Sequence, residues 1–185
     1  MSSSIKSHKA VFLDKDGTVS YPVFWNSKFR APRSVREVYF YCGLKAQITK
    51  LKEIGFLVFI VTNQPDIEAG FINDTNYLEI EKYIKNELLI DDIKTCKHSG
   101  NTTCLCRKPK PEMILNLCEE YNIESMNRWM VGDRISDIEA GSMANCKTIL
   151  ITHSKSFSSS ELIIPSMIVQ TPKEALDKII EESTW

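Results

Sequence analysis

The segment Phe56–Thr62 is the feature that most limits how this chain can fold. Its sequence, FLVFIVT, shows no alternation of apolar and polar residues, so neither face of a strand made from it can lie in water. Strands of this kind belong to parallel sheets that carry helices on both faces. Apolar residues at helical spacing precede the segment and stop at Gly55. We therefore predict an α/β fold in which strands and helices alternate.

Further segments continue this alternation along 185 residues, a length that suits a single domain over residues 1–185 without disulfide bonds. The other predicted strands are Lys9–Asp14, Ile93–Cys96, Arg128–Val131 and Thr148–Ile151. The predicted helices are Leu44–Ile54, Asp74–Leu89, Pro111–Cys118, Ile135–Ala144 and Ala175–Glu182. Ser154–Ser160, with five serines in seven residues, is predicted to be a mobile surface loop.

Composition and charge exclude several classes of protein. A net charge of −1 argues against a nucleic-acid binder, and the longest apolar run, Phe56–Val61, is too short to span a membrane. The first ten residues lack the apolar stretch of a secretory signal, so we expect a cytoplasmic protein whose six cysteines are reduced. Nothing in the sequence demands an interface between copies, and we expect a monomer.

The stretch Val19–Cys42 interrupts the alternation of strands and helices. It contains seven of the 17 aromatic residues and four cations, Lys28, Arg30, Arg33 and Arg36. One interpretation is a small edge hairpin, around Val38 and Phe40, that packs on the core. The other makes Tyr21–Arg33 a substrate-facing loop, because aromatic and guanidinium groups suit phosphorylated polar ligands. Both interpretations can hold for different halves of the stretch.

Two carboxylates follow the first predicted strand in the motif DKDGT. Residues two apart in an extended segment point the same way, so Asp14 and Asp16 can face one site. Gly17 permits a sharp turn close to a ligand. Carboxylate oxygens at the carboxyl edge of a parallel sheet suit Mg²⁺. The alternative is a turn in which Asp and Gly merely satisfy backbone groups, and companion motifs must decide between the two.

Three companion motifs occur where a strand ends or a helix begins. They are Thr62-Asn63, Arg107-Lys108, and Asp133 with Asp137 four residues further on. The first offers a hydroxyl and an amide to a phosphoryl oxygen, the second supplies fixed positive charge, and the third adds carboxylates. Because the carboxyl ends of parallel strands meet at one edge of a sheet, we expect a single site there.

Three cysteines and one histidine are concentrated between residues 96 and 106. The set Cys96, His98, Cys104 and Cys106 matches a closed tetrahedral Zn²⁺ site with no open position for substrate. The residues between His98 and Cys104 include no apolar side chain, so a metal is the obvious means of ordering this loop. Because Arg107 and Lys108 follow directly, zinc would fix the position of these cations. The remaining cysteines, Cys42, Cys118 and Cys146, are interpreted as small buried apolar residues.

The motifs DKDGT, VTN, the lysine of RKP and VGDRISD resemble the four ordered motifs of the haloacid dehalogenase superfamily of phosphohydrolases. The resemblance implies a three-layer, Rossmann-like parallel sheet flanked by helices. It also implies that Asp14 is a nucleophile that forms an aspartyl phosphate, and that Asp16 is the general acid and base. Thr62 and Lys108 would then hold the transferring group.

The same resemblance implies a Mg²⁺ site and a set of substrate contacts. Asp14, the carbonyl group of Asp16 and Asp133 would bind the metal. Asp137 would reach the metal through water or orient Lys108. Thr62, Asn63, Arg107 and Lys108 are the residues expected to contact the substrate.

The zinc pattern ahead of CRKP resembles one branch of the superfamily, which includes heptose-bisphosphate phosphatases and histidinol phosphatases and lacks a large cap domain. The resemblance implies a small sugar phosphate as substrate, with D-glycero-D-manno-heptose 1,7-bisphosphate, a precursor of surface polysaccharide and lipopolysaccharide, as the leading prediction. One departure is Glu68, which lies where this branch often has an arginine, so the second-phosphate or sugar contact differs here.

Other functions remain open on the sequence alone. Histidinol phosphate hydrolysis shares all of the chemistry but predicts an acidic or aromatic pocket, whereas Val19–Cys42 is cationic. A phosphatase acting on 3′ ends of nucleic acids needs a basic face, which the charge balance does not favour. A phosphoacceptor signalling module has no need of Asp16 as an acid and base, nor of a zinc loop.

Overall fold

The computed structural model describes residues 8–100, 103–153 and 164–183. Within these ranges the chain forms a six-stranded parallel sheet between two layers of helices, with a separate two-stranded hairpin. The serine-rich loop predicted at Ser154–Ser160 lies outside the described residues. No helix in the described ranges combines the length and the apolar character needed to cross a membrane.

The strands and helices follow one another along the chain as the alternating pattern predicts. The strands are β1 His8–Leu13, β2 Val23–Trp25, β3 Lys28–Arg30, β4 Phe56–Asn63, β5 Asp92–Cys96, β6 Ile123–Gly132, β7 Lys147–Ile151 and β8 Met167–Val169. The helices are α1 Leu44–Glu53, α2 Pro65–Glu68, α3 Asp74–Leu88, α4 Glu112–Glu120, α5 Ile135–Met143 and α6 Pro172–Ser183, with a 3₁₀ turn at Val35–Glu37.

The side chains of β1 alternate between two hydrophobic cores, one on each face of the sheet. Val11 and Leu13 join the core formed with α1, α3 and α6, whereas Ala10 and Phe12 join the core formed with α4 and α5. All four side chains are essentially inaccessible to solvent. Because both faces of the central strands are buried, their sequences are unbroken apolar runs. The predicted three-layer α/β fold is confirmed.

The order of the strands places the candidate site. Across the sheet the order is β5-β4-β1-β6-β7-β8. After β1 the chain builds β4 and β5 on one side, and it then crosses to build β6, β7 and β8 on the other. The crevice outside the carboxyl ends of β1 and β6 is therefore a topological switch point, where α/β sheets bind ligands.

Three short or polar elements differ from the sequence-based prediction. β6 begins at Ile123, whereas the predicted strand begins at Arg128. The prediction missed the first residues of β6 because most of them are exposed and polar, and they lie beside a shift of register between His8 and Ala10. β8 and α2, of three and four residues, are too short to produce a periodic pattern. Their formation depends on contacts with the rest of the sheet.

The two-stranded hairpin lies at Val23–Arg30, and the predicted edge pairing around Val38 and Phe40 is limited to one antiparallel bridge between Ser20 and Phe40. Its strands β2 and β3 are joined by Asn26 and Ser27, which both have positive φ angles, of 48° and 62°. Two such residues form the tight turn whose twist matches that of paired strands, and asparagine tolerates this conformation. Val38 instead belongs to the core, and the ring of Phe40 stacks on Tyr83 with 5.6 Å between centroids.

A glycine in α5 allows this helix to approach the sheet closely. A methyl group at Gly141 would lie 2.6 Å from Cβ of Met130 and 2.9 Å from Cγ2 of Thr148. We expect Gly141→Ala to lower the free energy of unfolding by about 1–3 kcal/mol in urea denaturation, despite the higher helix propensity of alanine. Ser142→Ala, at the exposed neighbouring position, is the control and should stay within about 0.5 kcal/mol of wild type. Equal stability of the two variants would contradict this close packing.

Candidate active site

A buried lysine lies at the centre of the candidate site. Nζ of Lys108 lies 2.6 Å from Oδ1 of Asp14, 2.6 Å from Oδ1 of Asp137 and 2.7 Å from the carbonyl oxygen of Val61. An ammonium group has three protons, and each has an acceptor here. Burial alone would lower the pKa of Lys108, but the two carboxylates outweigh burial and the pKa is raised. Lys108 is therefore a fixed positive charge.

Asp14 is held where β1 ends. Its backbone N–H donates to the carbonyl oxygen of Val131 in β6, at 2.9 Å, so the residue continues the sheet hydrogen bonding. Burial raises the pKa of its carboxyl group to about 6, and the charge of Lys108 opposes this rise. A carboxylate next to a fixed cation at the edge of a cavity has the surroundings that phosphoryl transfer to a carboxylate requires.

The carboxylate of Asp16 is connected to β4 through a residue that the sequence analysis did not single out. Nε2 of Gln64 donates to Oδ2 of Asp16 at 2.7 Å and lies 2.8 Å from Oγ1 of Thr62. Gln64 and Thr62 are almost fully buried. The predicted acid and base and the predicted phosphate-binding hydroxyl therefore meet through one amide group.

Gly17 allows a third carboxylate to approach this turn. It has a φ angle of +101°, and a Cβ atom there would lie 2.3 Å from Oδ2 of Asp133. Burial, with repulsion from Asp14, raises the pKa of Asp133 to about 6. Its Oδ1 atom is buried and has no hydrogen-bond partner among the described residues. This is the arrangement expected of a ligand to a cation.

The acidic residues of the site fit a divalent metal ion. One oxygen atom from each of Asp14, Asp133 and Asp137 lies within 4.8 Å of the others. Lys108 alone does not balance these charges, and hard carboxylate oxygens are the ligands that Mg²⁺ prefers. The side chain of Asp16 is not in this cluster, which agrees with a role for its carbonyl group. Because Asp137 binds Lys108 through one oxygen and the N–H of Arg134 through the other, its geometry suits the orienting role.

Asn63 and Arg107, both predicted to contact substrate, also make structural contacts. The side chain of Asn63 donates to the carbonyl oxygen of Lys108 and accepts from its N–H, each at 3.0 Å. This pair of bonds fixes the backbone of Lys108 to the end of β4. The guanidinium group of Arg107 donates to the carbonyl oxygen of His98 at 3.0 Å and also lines the cavity.

The four predicted zinc ligands converge immediately before these cations. Nδ1 of His98 lies 3.3 Å from Sγ of Cys106 and 3.6 Å from Sγ of Cys96, and the sulfurs of Cys96 and Cys104 are 3.7 Å apart. Their ligand atoms all lie within 4.8 Å of one another. Burial raises the pKa of the Cys96 thiol to about 12, so a metal would be needed to hold it as a thiolate.

Glu68, the departure from the arginine common in the zinc-containing branch, contacts this loop. Its carboxylate accepts a hydrogen bond from the N–H of Ser99. α2 is therefore attached to the loop that carries the cysteine and histidine cluster, and the acidic side chain has a structural partner. The other cysteines differ from prediction in one case. Cys118 is buried and Cys146 is half-buried, but Cys42 is exposed, because its neighbours Tyr41 and Leu44 pack inward in its place.

A cavity of about 980 Å³ opens above the acidic cluster. One wall is a stack of rings, with 3.9 Å between the centroids of Tyr21 and Tyr41 and 5.3 Å between those of Tyr41 and His153. Nε2 of His153 lies 2.7 Å from the carbonyl oxygen of Gly17, so this wall is attached to the acidic turn. The sequence analysis did not identify His153, although its position just after β7 was a signal. Phe29 and Arg30 bring the hairpin to the rim.

Comparison with known proteins agrees with this geometry. Residues 14–151 match the family of haloacid dehalogenase-like hydrolases. The chain is 31% identical over 154 residues to the D-glycero-beta-D-manno-heptose-1,7-bisphosphate 7-phosphatase of Helicobacter pylori strain J99, covering 80% of this chain and 84% of the relative. The enzyme of that name from Yersinia pestis is 33% identical, covering 77% and 79% of the two chains. A Campylobacter jejuni relative, named for the alpha form of the same sugar, is 28% identical, covering 78% and 83%.

Solved structures share the fold. The D,D-heptose 1,7-bisphosphate phosphatase of B. bronchiseptica, complexed with magnesium and phosphate, has a TM-score of 0.77 at 20% identity and covers 94% of this chain and 99% of its own. The corresponding phosphatase of Burkholderia thailandensis has a TM-score of 0.66 at 17% identity, covering 93% and 98%. The family match, the curated relatives and the four motifs agree, and the chain belongs to the haloacid dehalogenase-like hydrolases.

Proposed function

We propose that this chain is a Mg²⁺-dependent phosphatase that hydrolyses D-glycero-D-manno-heptose 1,7-bisphosphate through an aspartyl-phosphate intermediate. The observation that carries the proposal is the position of Asp14, bound to the buried ammonium group of Lys108 at the switch point of the sheet. The names of the curated relatives support the choice of substrate.

The chemistry follows from the groups around Asp14. A carboxylate oxygen of Asp14 attacks phosphorus, the bond from phosphorus to the sugar oxygen breaks, and Asp16 gives that oxygen a proton. Asp16 then takes a proton from water, which attacks phosphorus and releases Asp14. Lys108 and Thr62 hold the phosphoryl oxygens, and the positive charge of Lys108 reduces the repulsion between two anions.

The acidic cluster supplies the place for magnesium. Asp14, the carbonyl group of Asp16 and Asp133 would hold the ion, and Asp137 would keep Lys108 in position. When bound, Mg²⁺ offsets the negative charge that develops on the transferring phosphoryl group. Oδ1 of Asp133 is buried and has no hydrogen-bond partner among the described residues, so this atom would gain most from contact with the ion.

The cavity has cations for a second phosphate beyond the reacting one. Arg30, Arg107 and Arg134 line it together with Lys108. Arg30 is bound to both oxygens of Glu37, at 2.8 and 3.0 Å, so Arg107 and Arg134 are the better placed to bind an anion. This lining favours a bisphosphate over histidinol phosphate, whose leaving group is cationic. The relatives are named for both anomers, and the proposal covers the bisphosphate in either form.

The zinc loop completes the proposal. Zn²⁺ bound by Cys96, His98, Cys104 and Cys106 would order the segment that ends at Arg107 and Lys108. The ion would have four protein ligands and no open coordination position, so its role would be structural. We also expect the protein to act as a monomer in the cytoplasm, in the synthesis of surface polysaccharide precursors.

Substitutions at the two aspartates of DKDGT test the mechanism. Asp16→Asn should reduce turnover of the heptose bisphosphate by about 10²–10⁴-fold without a change in folding, because the acid and base is lost. Asp14→Asn should abolish both turnover and the trapping of a phosphoenzyme analogue with beryllium fluoride. Phosphate release and circular dichroism provide the measurements. Retained turnover by Asp16→Asn would contradict its role, and a wild-type enzyme inactive on the heptose bisphosphate would contradict the proposed substrate.

The raised pKa of Asp133 gives a pH-dependent prediction for the protein without magnesium. Its pKa is about 6 in the folded protein and about 4 when unfolded, so the folded state binds more protons between these values. The free energy of unfolding contributed by this group therefore falls as pH rises from about 4 to about 6. The variant Asp133→Asn has no carboxyl group to ionise at this position, so its free energy of unfolding does not fall in this way. In magnesium-free buffer at pH 7, urea denaturation should show that the variant is more stable than wild type by about 1–3 kcal/mol.

The advantage of Asp133→Asn should shrink to about a few tenths of a kcal/mol near pH 4, where the wild-type carboxyl group is protonated in the folded state and about half protonated in the unfolded state. Mg²⁺ should stabilise the wild-type protein at pH 7 and stabilise the variant much less. If the free energies of unfolding of Asp133→Asn and wild type differ by the same amount at pH 4 and at pH 7, the raised pKa of Asp133 is contradicted.

Metal analysis tests the zinc site. The purified protein should contain about one equivalent of zinc, and Cys104→Ser should lose it together with most of the activity, because Arg107 and Lys108 lose their support. Cys42→Ser removes an exposed thiol far from the cluster in the chain and is the matched control, which should keep both zinc and activity. Full activity with almost no zinc would overturn the structural role.

A further inference from the structure

The proposed mechanism does not use Lys15, the residue between the two catalytic aspartates, and its environment is unusual. Its side chain is 0% exposed. Lysine is almost never fully buried unless it is paired with an acid, since burying a charge is costly. Nζ of Lys15 lies 3.0 Å from Oδ1 of Asp16. Because no part of the side chain reaches the surface of the cavity, Lys15 cannot touch a substrate there.

A partly buried network supports Lys15 from the other side. Its ammonium group lies 5.8 Å from the centroid of the Tyr77 ring, whose residue is 1% exposed. The hydroxyl group of Tyr77 lies 2.9 Å from Oγ1 of Thr95, which donates to Glu81 at 2.6 Å. The aromatic face attracts the cation, and the hydrogen bonds fix the ring between α3 and β5. Lys15 therefore has little freedom to follow Asp16 if that side chain rotates.

The two oxygens of Asp16 are held from different parts of the fold. Lys15 binds Oδ1, and Gln64, which is 2% exposed at the end of β4, binds Oδ2. An ionised carboxyl group has about four lone-pair sites, so two remain after these bonds are made. Asp16 can therefore be fixed in direction and still exchange a proton with a leaving group or with water.

We propose that Lys15 is a positioning residue that fixes the carboxylate of Asp16 for proton transfer to the leaving oxygen of the substrate. The proposal rests on the proposed phosphatase function and extends it to a residue that touches neither substrate nor metal. Lys15 acts only through its contact with Oδ1 of Asp16, and Asp16 alone gives and takes the proton. Without Lys15, Asp16 keeps its bond to Gln64 but can turn about it.

The test compares substrates whose leaving groups differ in their need for a proton. A sugar alkoxide must be protonated as it departs, whereas p-nitrophenolate departs without a proton. The ratio kcat/KM covers the steps up to loss of the leaving group, so it excludes the later hydrolysis of the aspartyl phosphate. We expect Lys15→Met to lower kcat/KM for the heptose bisphosphate by about 10–100-fold, the size of effect that misplacement of a catalytic group produces. For p-nitrophenyl phosphate we expect a fall of less than about threefold.

A second readout comes from the later step, in which Asp16 acts as the base. With p-nitrophenyl phosphate, Lys15→Met should release one equivalent of nitrophenol in a rapid burst and then turn over slowly, because water attack on the aspartyl phosphate needs Asp16 in place. A general structural defect would reduce the burst and the steady state together.

Lys52→Met is the matched control, because it removes a lysine 2.7 Å from both oxygens of Asp91 at a partly buried position outside the cavity. It should change kcat/KM for both substrates by less than about twofold. If Lys15→Met does not fold, Lys15→Gln, which keeps a neutral hydrogen-bond donor, takes its place. This variant should also lose more kcat/KM on the heptose bisphosphate than on p-nitrophenyl phosphate, by a smaller factor.

Equal losses on the two substrates, in either variant, would overturn the role of Lys15 and leave the phosphatase proposal intact. If the wild-type enzyme rejects the heptose bisphosphate but hydrolyses glycerol 3-phosphate, glycerol 3-phosphate takes the place of the heptose bisphosphate in the test. Lys15→Met must then lower kcat/KM for glycerol 3-phosphate much more than for p-nitrophenyl phosphate. A wild-type protein that hydrolyses no phosphate monoester at all would overturn the proposed function, and this inference with it.

Discussion

The ammonium group of Lys108, shared by Asp14, Asp137 and the carbonyl oxygen of Val61, is the interaction on which the site depends. Its three acceptors come from the end of β1, from the first turn of α5 and from within β4, so a single charge connects three neighbouring parts of the sheet. Loss of one partner of a buried ion pair typically costs about 3–5 kcal/mol, because the other charge is left without compensation. Catalysis and stability therefore depend on the same contact.

The segment that delivers Lys108 to this position is held at several points. The loop between β5 and α4 is polar, and its order depends on the cysteine and histidine cluster on one side and on Asn63 on the other. Glu68 adds a third connection through the N–H of Ser99. The proposed metal in that cluster and the acidic side chain of Glu68 would both act on the backbone that carries Lys108, and neither would act on the substrate.

The sequence predicted those parts of the site that depend on local pattern. Buried parallel strands produce unbroken apolar runs, and the residues at their carboxyl ends must meet, so Asp14, Thr62 and Asp133 could be placed together without coordinates, and Lys108 was added through the motif RKP. Gln64 and His153 also follow strands, but the sequence does not tell which groups their side chains bind. The contact of His153 with Gly17 joins residues 136 positions apart, and no periodic pattern records such a pairing. Local pattern also failed for Cys42, since apolar neighbours do not reveal which side chain faces outward.

The hairpin formed by β2 and β3 is a sheet of its own, and neither strand pairs with the six-stranded sheet. Its connections to the body include ion pairs between partly exposed groups, that of Arg30 in β3 with Glu37 and that of Arg33, just after β3, with Asp66, which contribute at most about 1 kcal/mol each. Substitutions in the hairpin should therefore be tolerated far better than substitutions in the strands beneath it. Because of this division, residues at the rim of the cavity such as Phe29 and Arg30 can change without disturbing the strands that carry the acidic cluster, and the hairpin is a suitable segment to vary in a library.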